Sequence, residues 1–328
     1  MDHTICIKEI GSFFVGGRRV TLKGLPVYSA SMVKNGKPRM VDPNGEFWAG
    51  QMYVQYIKLS NPTAKYPLLL WHGGGLSGSC WETTPDGREG WQMFFLRAGY
   101  NVYISDAVER GRASWARYPE IFTTEPVFRS YQHAWESFRI GKTYCNDPCQ
   151  RKPFPGSQYP VDSFETFMMY SIPRWSSNND VTQKAYDRYV QKVGPCILIA
   201  HSQGCSFAAE TALHYPQLVK AIVFVEPSSM PDYQTYDLSI LKNIPQMYIW
   251  GDFLDEYTIW NKTIPDTESY YKAVKKYYQE LKRVCHRAEW LELPEIGIQG
   301  NTHMMMHDKN SSQVAALILD WFNKQKII

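Results

Sequence analysis

Apolar runs alternate with helical patterns along most of this chain. Five short, mainly apolar runs have the length and composition of buried strands: 67–71, 101–106, 196–200, 219–225 and 245–250. Segments with helical spacing, such as 89–98 and 205–215, lie between them. Because strands that alternate with helices build a parallel sheet covered on both faces, we expect an α/β protein with one mostly parallel central sheet flanked by helices.

The two ends of the chain add further elements. Residues 5–22 predict a hairpin that turns at the Gly16–Gly17 pair, and residues 51–59 alternate as in a half-buried strand. Residues 288–293 alternate in the same way, and residues 311–324 predict a last helix. The sheet therefore extends beyond its apolar centre.

Residues 115–180 break this alternation. They are rich in proline, aromatic and polar turn residues, and only 132–141 and 163–170 have helical patterns. Long irregular stretches inside a compact domain are functional or disordered, and the aromatic content argues against disorder. We expect residues 1–114 and 181–328 to form the core, and residues 115–180 to form a cap over the strand ends.

The most informative segment is Leu-Ile-Ala-His-Ser-Gln-Gly at 198–204. An apolar strand runs into a small-x-Ser-x-Gly turn, and a helical pattern follows. Such a turn lifts the serine hydroxyl above the sheet edge and leaves the next amide free at a helix N-terminus. We therefore predict that Ser202 is a nucleophile and that the amide of Gln203 stabilises an oxyanion. Ala200 replaces the more usual glycine and adds only a methyl group.

A nucleophilic serine needs a general base, and three histidines follow its helix. His303 lies in a glycine-rich loop before the last helix, where catalytic side chains are often presented, so we predict that it is the base. His286 is expected at a strand edge and His307 one turn beyond the base. The HxxxH spacing of His303 and His307 suggests a metal site, but the Glu of the zinc-protease signature is missing between them. We therefore expect neither a metal nor another cofactor.

Two carboxylates could orient that histidine. Glu226 directly follows the apolar run 219–225, whereas Asp255 lies in a polar turn after 245–250. An ionisable residue joined directly to a buried strand costs free energy unless it has a partner, which favours Glu226 as the acid. Asp255 remains the alternative acid.

A second oxyanion donor is expected where the apolar run 68–71 continues into His-Gly-Gly-Gly. Glycines let backbone amides point at a developing oxyanion without obstruction by side chains. We predict that Gly74 donates, with Gly75 as the next choice, and that His72 braces the loop.

Several large apolar side chains are candidates for a substrate wall, although any of them could equally belong to the core. They are Trp81, Trp91, Phe167, Met168 and Trp175.

Together these motifs resemble the α/β-hydrolase superfamily. More narrowly, the chain resembles a bacterial esterase branch in which the triad acid is a Glu after the sixth strand. Three segments carry that likeness: 81–91, 223–227 and 300–306. The resemblance covers most of residues 50–325 and implies a triad of Ser202, Glu226 and His303. Members of that branch carry adjacent cysteines in the oxyanion loop, where this chain has glycines.

Composition and charge limit the classes of binding partner and the cellular location that we expect. The net charge is +3 without a basic cluster, so we expect no nucleic acid, and no apolar run has membrane-span length. The chain starts without the pattern of a signal peptide and has seven cysteines, which favours free thiols and a cytoplasmic location, with secretion after loss of a leader as the alternative. A homodimer remains open.

These observations favour a serine carboxylic-ester hydrolase, an esterase or lactonase, that acts on an apolar or aromatic ester through an acyl-enzyme. The same fold and triad could instead serve acyl transfer, carbon–carbon cleavage or modification of a natural product, because fold does not fix the reaction. A non-catalytic ligand-binding module is a third class, which the triad candidates disfavour.

Overall fold

The computed structural model describes residues 4–254 and 269–327. The strands are β1 (Ile7–Leu22), β2 (Tyr28–Ala30), β3 (Arg39–Val41), β4 (Gly45–Leu59), β5 (Leu68–Trp71), β6 (Val102–Asp106), β7 (Cys196–His201), β8 (Val219–Val225), β9 (Gln246–Trp250) and β10 (Ala288–Glu292). The α-helices are α1 (Trp91–Arg97), α2 (Tyr131–Ser137), α3 (Phe164–Tyr170), α4 (Asn179–Val193), α5 (Gln203–His214), α6 (Tyr270–Val284) and α7 (Ser311–Lys324).

Eight of these strands form one sheet in the order β1-β4-β6-β5-β7-β8-β9-β10. From β6 to β10 all neighbouring strands are parallel, whereas β1 and β4 join at one edge in antiparallel pairs. This confirms the predicted α/β fold with a mostly parallel sheet. Because the parallel strands share one direction, the chain segments that follow β5, β7, β8 and β9 all leave the sheet at the same edge.

The predicted N-terminal hairpin is wrong. Residues 7–22 form one continuous strand, β1, which pairs with β4 from Ile7 opposite Leu59 to Leu22 opposite Gly45. Gly16 and Gly17 have φ values of 74° and 80° without reversing the chain. A Cβ on Gly16 would lie 2.9 Å from the Cβ of Ala185, so one of these glycines admits close packing of α4.

The sheet separates two hydrophobic cores, because alternate residues of each strand face opposite sides. In β5, Leu68 and Leu70 pack on the side of α1 and α7, and Leu69 and Trp71 pack on the side of α4, α5 and α6. Helices therefore cover both faces, as the apolar strands require. None of the helices in the described ranges has the length and hydrophobicity of a membrane span.

The cap segment, residues 115–180, contains α2 and α3 and long connections without regular structure. Trp135, Phe164 and Phe167 are fully buried and join the core on the side of α1 and α7. Cys145 and Cys149 of this segment are not bridged to each other. The cap segment is therefore packed against the sheet domain by aromatic side chains.

Candidate active site

Ser202 stands at the sharp turn between β7 and α5. Its φ of 50° and ψ of −117° are unusual for a residue with a side chain. Its amide donates to the carbonyl of Val225 in the neighbouring strand, at 2.9 Å. A Cβ on Gly204 would lie 2.7 Å from the carbonyl oxygen of His72, so strand and helix almost touch at this point. The small-x-Ser-x-Gly pattern thus reflects close packing.

Glu226 and His303 form a hydrogen-bonded pair at the same sheet edge. Oε2 of Glu226 lies 3.2 Å from Nδ1 of His303. Because an ionised carboxylate only accepts hydrogen bonds, Nδ1 carries the hydrogen and Nε2 is left as the basic nitrogen. Glu226 directly follows Val225, whose carbonyl accepts from the amide of Ser202. The three side chains therefore originate from adjoining strand ends and one loop.

The carboxylate of Glu226 is held in its charged form. Its Oε1 accepts from Nη2 of Arg139 and from the amide of Gly251, both at 2.6 Å. Burial alone would raise the pKa of Glu226, but the Arg139 charge and the hydrogen bonds with His303 and Arg139 outweigh burial and lower this pKa to about 2. Glu226 is consequently anionic at neutral pH.

The imidazole of His303 is fixed by its backbone and by an aromatic ring. The His303 amide donates to the carbonyl of Phe138 at 3.0 Å, and the two rings stack with centroids 5.3 Å apart and planes at 16°. Nε2 of His201 donates to the carbonyl of His303 at 2.9 Å. Burial lowers the pKa of His303, and the hydrogen bond with Glu226 opposes that change. The imidazole is therefore neutral near pH 7, as a general base must be.

A buried carboxyl group holds the loop that carries this histidine. Asp308 accepts from the amide of Thr302 at 2.7 Å, from its hydroxyl at 2.9 Å and from Nδ2 of Asn301 at 3.0 Å. Burial raises the pKa of Asp308 to about 7 in spite of these hydrogen bonds. This network fixes residues 301–302 and with them the position of His303.

The glycine loop lies beside the elbow. A Cβ on Gly73 would lie 2.9 Å from the Cβ of Ser202, and one on Gly74 would lie 3.0 Å from Oε1 of Gln203. Within the described residues, no hydrogen bond uses the backbone amides of Gly74, Gly75 or Gln203. These amides are free to donate to a developing oxyanion.

His72 braces the glycine loop. Its Nδ1 donates to the carbonyl of Gly73 at 2.8 Å, and its Nε2 accepts from the amide of Ala107 at 3.0 Å. Burial lowers the pKa of His72 to about 4, so the ring is neutral and keeps one donor and one acceptor.

Four of the five predicted wall residues lie in the protein interior instead. Trp81, Trp91 and Phe167 are part of the main core, and Trp175 packs against Phe122 in a separate small cluster. Trp81 and Trp91 pack against each other, and Phe167 packs against Phe138 and Phe164. Met168 borders a cavity that Arg129 also lines, and Trp91 borders a separate cavity between α1 and α7.

Two other residues that the sequence analysis considered for the site are Asp255 and His307. Asp255, the alternative acid, lies outside the described residues. Nε2 of His307 donates to the carbonyl of Cys80 at 3.0 Å, and none of the hydrogen bonds among the described residues joins His307 to His303. In residues 4–254 and 269–327, no group of three or more His, Cys, Asp or Glu side chains has the arrangement of a metal site.

The residues that the cap segment contributes to the site were not predicted from the sequence. Phe138 stacks on His303, and Arg139 pairs with Glu226 although 87 positions separate them in the chain. Arg129 donates to the carbonyl of Gly74 at 3.0 Å. In the sequence, Phe138 and Arg139 appear only as part of the helical pattern 132–141. Nothing in that pattern indicates that Arg139 has a distant carboxylate as its partner.

Comparison with known proteins identifies the family. Residues 153–325 match the family model of the alpha/beta hydrolase fold. A bacterial esterase of known structure is 32% identical, with 98% of this chain and 97% of that chain covered and a TM-score of 0.81. The probable secreted lipase phiG of Fungal sp. (strain ATCC 74256) is 28% identical over 337 residues, which cover 86% of this chain and 88% of that protein. The chain belongs to the α/β-hydrolase fold family, as its motifs predicted.

Proposed function

We propose that this protein is a serine esterase that cleaves carboxylic esters through an acyl-enzyme. The observation that carries the proposal is the Glu226–His303 pair, which lies at the sheet edge of Ser202. The glycine loop with its free amides approaches Ser202 and Gln203 at the same edge. A nucleophile, an oriented base and an oxyanion site are the parts that ester cleavage requires.

In the proposed reaction, Oγ of Ser202 attacks the ester carbonyl and Nε2 of His303 takes the hydroxyl proton. The amides of Gly74 and Gln203 stabilise the oxyanion of the tetrahedral intermediate. His303 then returns the proton to the leaving alcohol, and the acyl group stays on Ser202. Water activated by His303 releases the acid, while Glu226 keeps the imidazole in the required tautomer throughout.

The relatives support ester chemistry at the coarser level. The relative of known structure is named an esterase, and phiG is named a probable lipase. Both names refer to the cleavage of esters. We extend this to the chain as an esterase or lipase type of hydrolase, with an apolar or aromatic ester as the substrate class. The curated relative is named as secreted, so it lends no support to the cytoplasmic location predicted from the sequence.

A fluorophosphonate tests the nucleophile directly. It should label wild-type protein at Ser202, and Ser202→Ala should lose both the label and turnover of 4-nitrophenyl esters. Recovery of the adduct on a different serine would overturn the mechanism. Product analysis distinguishes the alternatives with the same triad, because hydrolysis releases free acid whereas acyl transfer places the acyl group on an added alcohol.

A further inference from the structure

Two arginines of the cap segment converge on the glycine loop. Val127 and Arg174 form an antiparallel β-bridge of two backbone hydrogen bonds, with N–O distances of 2.7 and 3.0 Å. Arg129 lies two residues after Val127. Nη2 of Arg129 donates to the carbonyl of Gly74. A Cβ on Gly74 would lie 2.5 Å from Nη1 of Arg174. Both guanidinium groups therefore touch the loop that carries the proposed oxyanion donor.

Among residues 4–254 and 269–327, no carboxylate neutralises either arginine. Other arginines of the cap segment have carboxylate partners at 2.6 to 2.8 Å: Arg117 with Glu120, Arg139 with Glu226 and Arg151 with Glu165. Within the described part of the chain, Arg129 and Arg174 form no ion pair with a carboxylate. Arg129 bonds to neutral groups only, and its buried Nε has no partner among the described residues.

A third arginine increases the positive charge. Arg110 is 4% exposed, and the one hydrogen bond of its guanidinium among the described residues goes to the carbonyl of Pro173, at 3.3 Å. Burial, together with the Arg174 charge, lowers the pKa of Arg110 to about 9 and that of Arg129 to about 10. Like charges that lie close together with little water around them cost free energy, and a bound anion would remove that cost.

A cavity of about 370 Å³ is lined by Arg129 and by Ile172 and Pro173, which directly precede Arg174 in the chain. It is joined to the glycine loop through the amide of Ile172, which donates to the carbonyl of Gly75 at 3.0 Å. The carboxylate of Glu165 also borders this cavity but is already bound by Arg151 at 2.6 and 3.0 Å. The remaining lining is mainly apolar: Phe128, Tyr131, Met168, Met169, Ile172 and Pro173.

We propose that Arg129 and Arg174 form a subsite for a carboxylate group of the substrate, so that this enzyme prefers esters with a carboxylate a few bonds from the scissile carbonyl. Guanidinium groups bind carboxylates through charge-assisted hydrogen bonds with fixed geometry. The short apolar cavity suits the carbon chain between the two groups. This inference rests on the proposed esterase function and specifies its substrate class.

Matched ester pairs test the subsite. One pair is mono-4-nitrophenyl glutarate and its methyl ester, which differ in charge on the acyl side. The other is 4-acetoxybenzoate and its methyl ester, which differ on the alcohol side. The anionic member of at least one pair should have a kcat/KM about 10- to 100-fold higher at low salt, and added salt should reduce this ratio.

Arg174 is the position to vary, because Arg129 also holds the glycine loop. Arg174→Gln should abolish the preference for the anionic member, and Arg174→Lys should keep part of it. Arg283→Gln is the matched control, since Arg283 pairs with Glu280 on α6 and its side chain is 73% exposed. A preference for the neutral member of both pairs, or an unchanged ratio in a folded Arg174→Gln variant, would overturn the subsite.

Binding gives a readout that does not depend on turnover. Calorimetry with Ser202→Ala should detect monomethyl glutarate and not dimethyl glutarate, and Arg174→Gln in that background should lose the binding. Absence of binding to the anionic ester contradicts the subsite. If wild-type protein hydrolyses neutral esters without a charge preference, the subsite fails while the esterase function stands. If no ester is turned over and no serine is labelled, the esterase function fails.

Discussion

At the scale of single residues, the site depends on two strained backbone positions. Ser202 and Glu226 have φ values of 50° and 51°, in the region that favours glycine. Each residue directly follows a buried strand. The amide of Ser202 donates to the carbonyl of Val225, and the amide of Glu226 donates to the carbonyl of Ile249, both at 2.9 Å in the neighbouring strand. Strain of this kind persists where the surroundings fix the backbone, and it is common at functional sites.

Replacing Glu226 with Gln should lower kcat by about three to four powers of ten, because the imidazole loses its orienting carboxylate. It should also reduce the free energy of unfolding by about 3 kcal/mol, because the guanidinium of Arg139 is left buried without its partner charge. Asp255→Asn should change kcat much less. Steady-state kinetics and urea unfolding of both variants give the answer, and the reverse ranking in kcat would transfer the role of the acid to Asp255.

The pH profile should report the environment of His303. Its pKa is lowered from 6.5 by burial, so the base stays neutral down to a lower pH than a free imidazole would. The acid limb of kcat/KM should therefore lie below pH 6.5.

Arg139→Gln should move the acid limb to higher pH, because the Arg139 charge also lowers the pKa of His303. The matched control is Arg151→Gln, which removes a cap arginine whose partner is Glu165. The profiles are measured with a neutral 4-nitrophenyl ester. A limb that does not move, or that moves to lower pH, would show that the titrating group is not His303.

At the scale of secondary-structure elements, local patterns were sufficient where a strand or helix is defined by its own side chains. The last helix was predicted at its observed bounds, Ser311–Lys324, because its apolar stripe is regular. The hairpin was wrong because Gly16 and Gly17 carry a turn signal, while the constraint at Gly16 is the packing of Ala185 from α4. That contact joins residues far apart in the chain, which no local pattern contains.

The contact between β5 and α5 should be sensitive to one methyl group. A Cβ on Gly204 would lie 2.7 Å from the carbonyl oxygen of His72 and 3.1 Å from that of Trp71, and strand backbone cannot easily move away. Gly204→Ala should therefore reduce the free energy of unfolding by about 1 to 3 kcal/mol and reduce kcat, because it displaces the elbow.

Glu210→Ala, on a partly exposed position of the same helix, serves as the control for the Gly204 variant. It should have near wild-type stability and kcat, because it creates no new contact. Calorimetric melting and ester turnover compare the two variants. If Gly204→Ala is as stable and as active as wild type, the close approach of strand and helix has no energetic importance.

At the scale of the whole molecule, the core domain and the cap segment differ in how much their sequence reveals. Ser202, Gln203 and Glu226 could be predicted because each follows directly from a buried strand or its turn. The roles of Arg129, Phe138 and Arg139 depend on where the cap segment folds back over the sheet edge. Their partners are distant in the chain. The roles of the charged and aromatic residues of the cap segment could therefore not be predicted from the sequence.

The stability of the whole protein should fall as the pH decreases below neutral. Burial lowers the pKa of five histidines in the described ranges, three of them to about 4: His72, His133, His201, His303 and His307. Between that value and the ordinary 6.5, the unfolded chain binds protons that the folded protein does not, so acid favours unfolding. Asp308 acts in the opposite direction, because its raised pKa of about 7 lets the folded protein hold a proton.

The five histidines outweigh Asp308 and Glu109, whose pKa is also raised by burial. The free energy of unfolding should therefore decrease from about pH 6.5 to about pH 4.5, by up to about 1.4 kcal/mol per pH unit for each net proton. Urea unfolding across this range measures the slope. His307→Gln should make the slope shallower, and Asp308→Asn should make it steeper, because each removes one of the opposing contributions. A stability that is constant with pH, or that increases on acidification, would contradict the neutral state of the buried histidines on which the brace at His72 and the base at His303 depend.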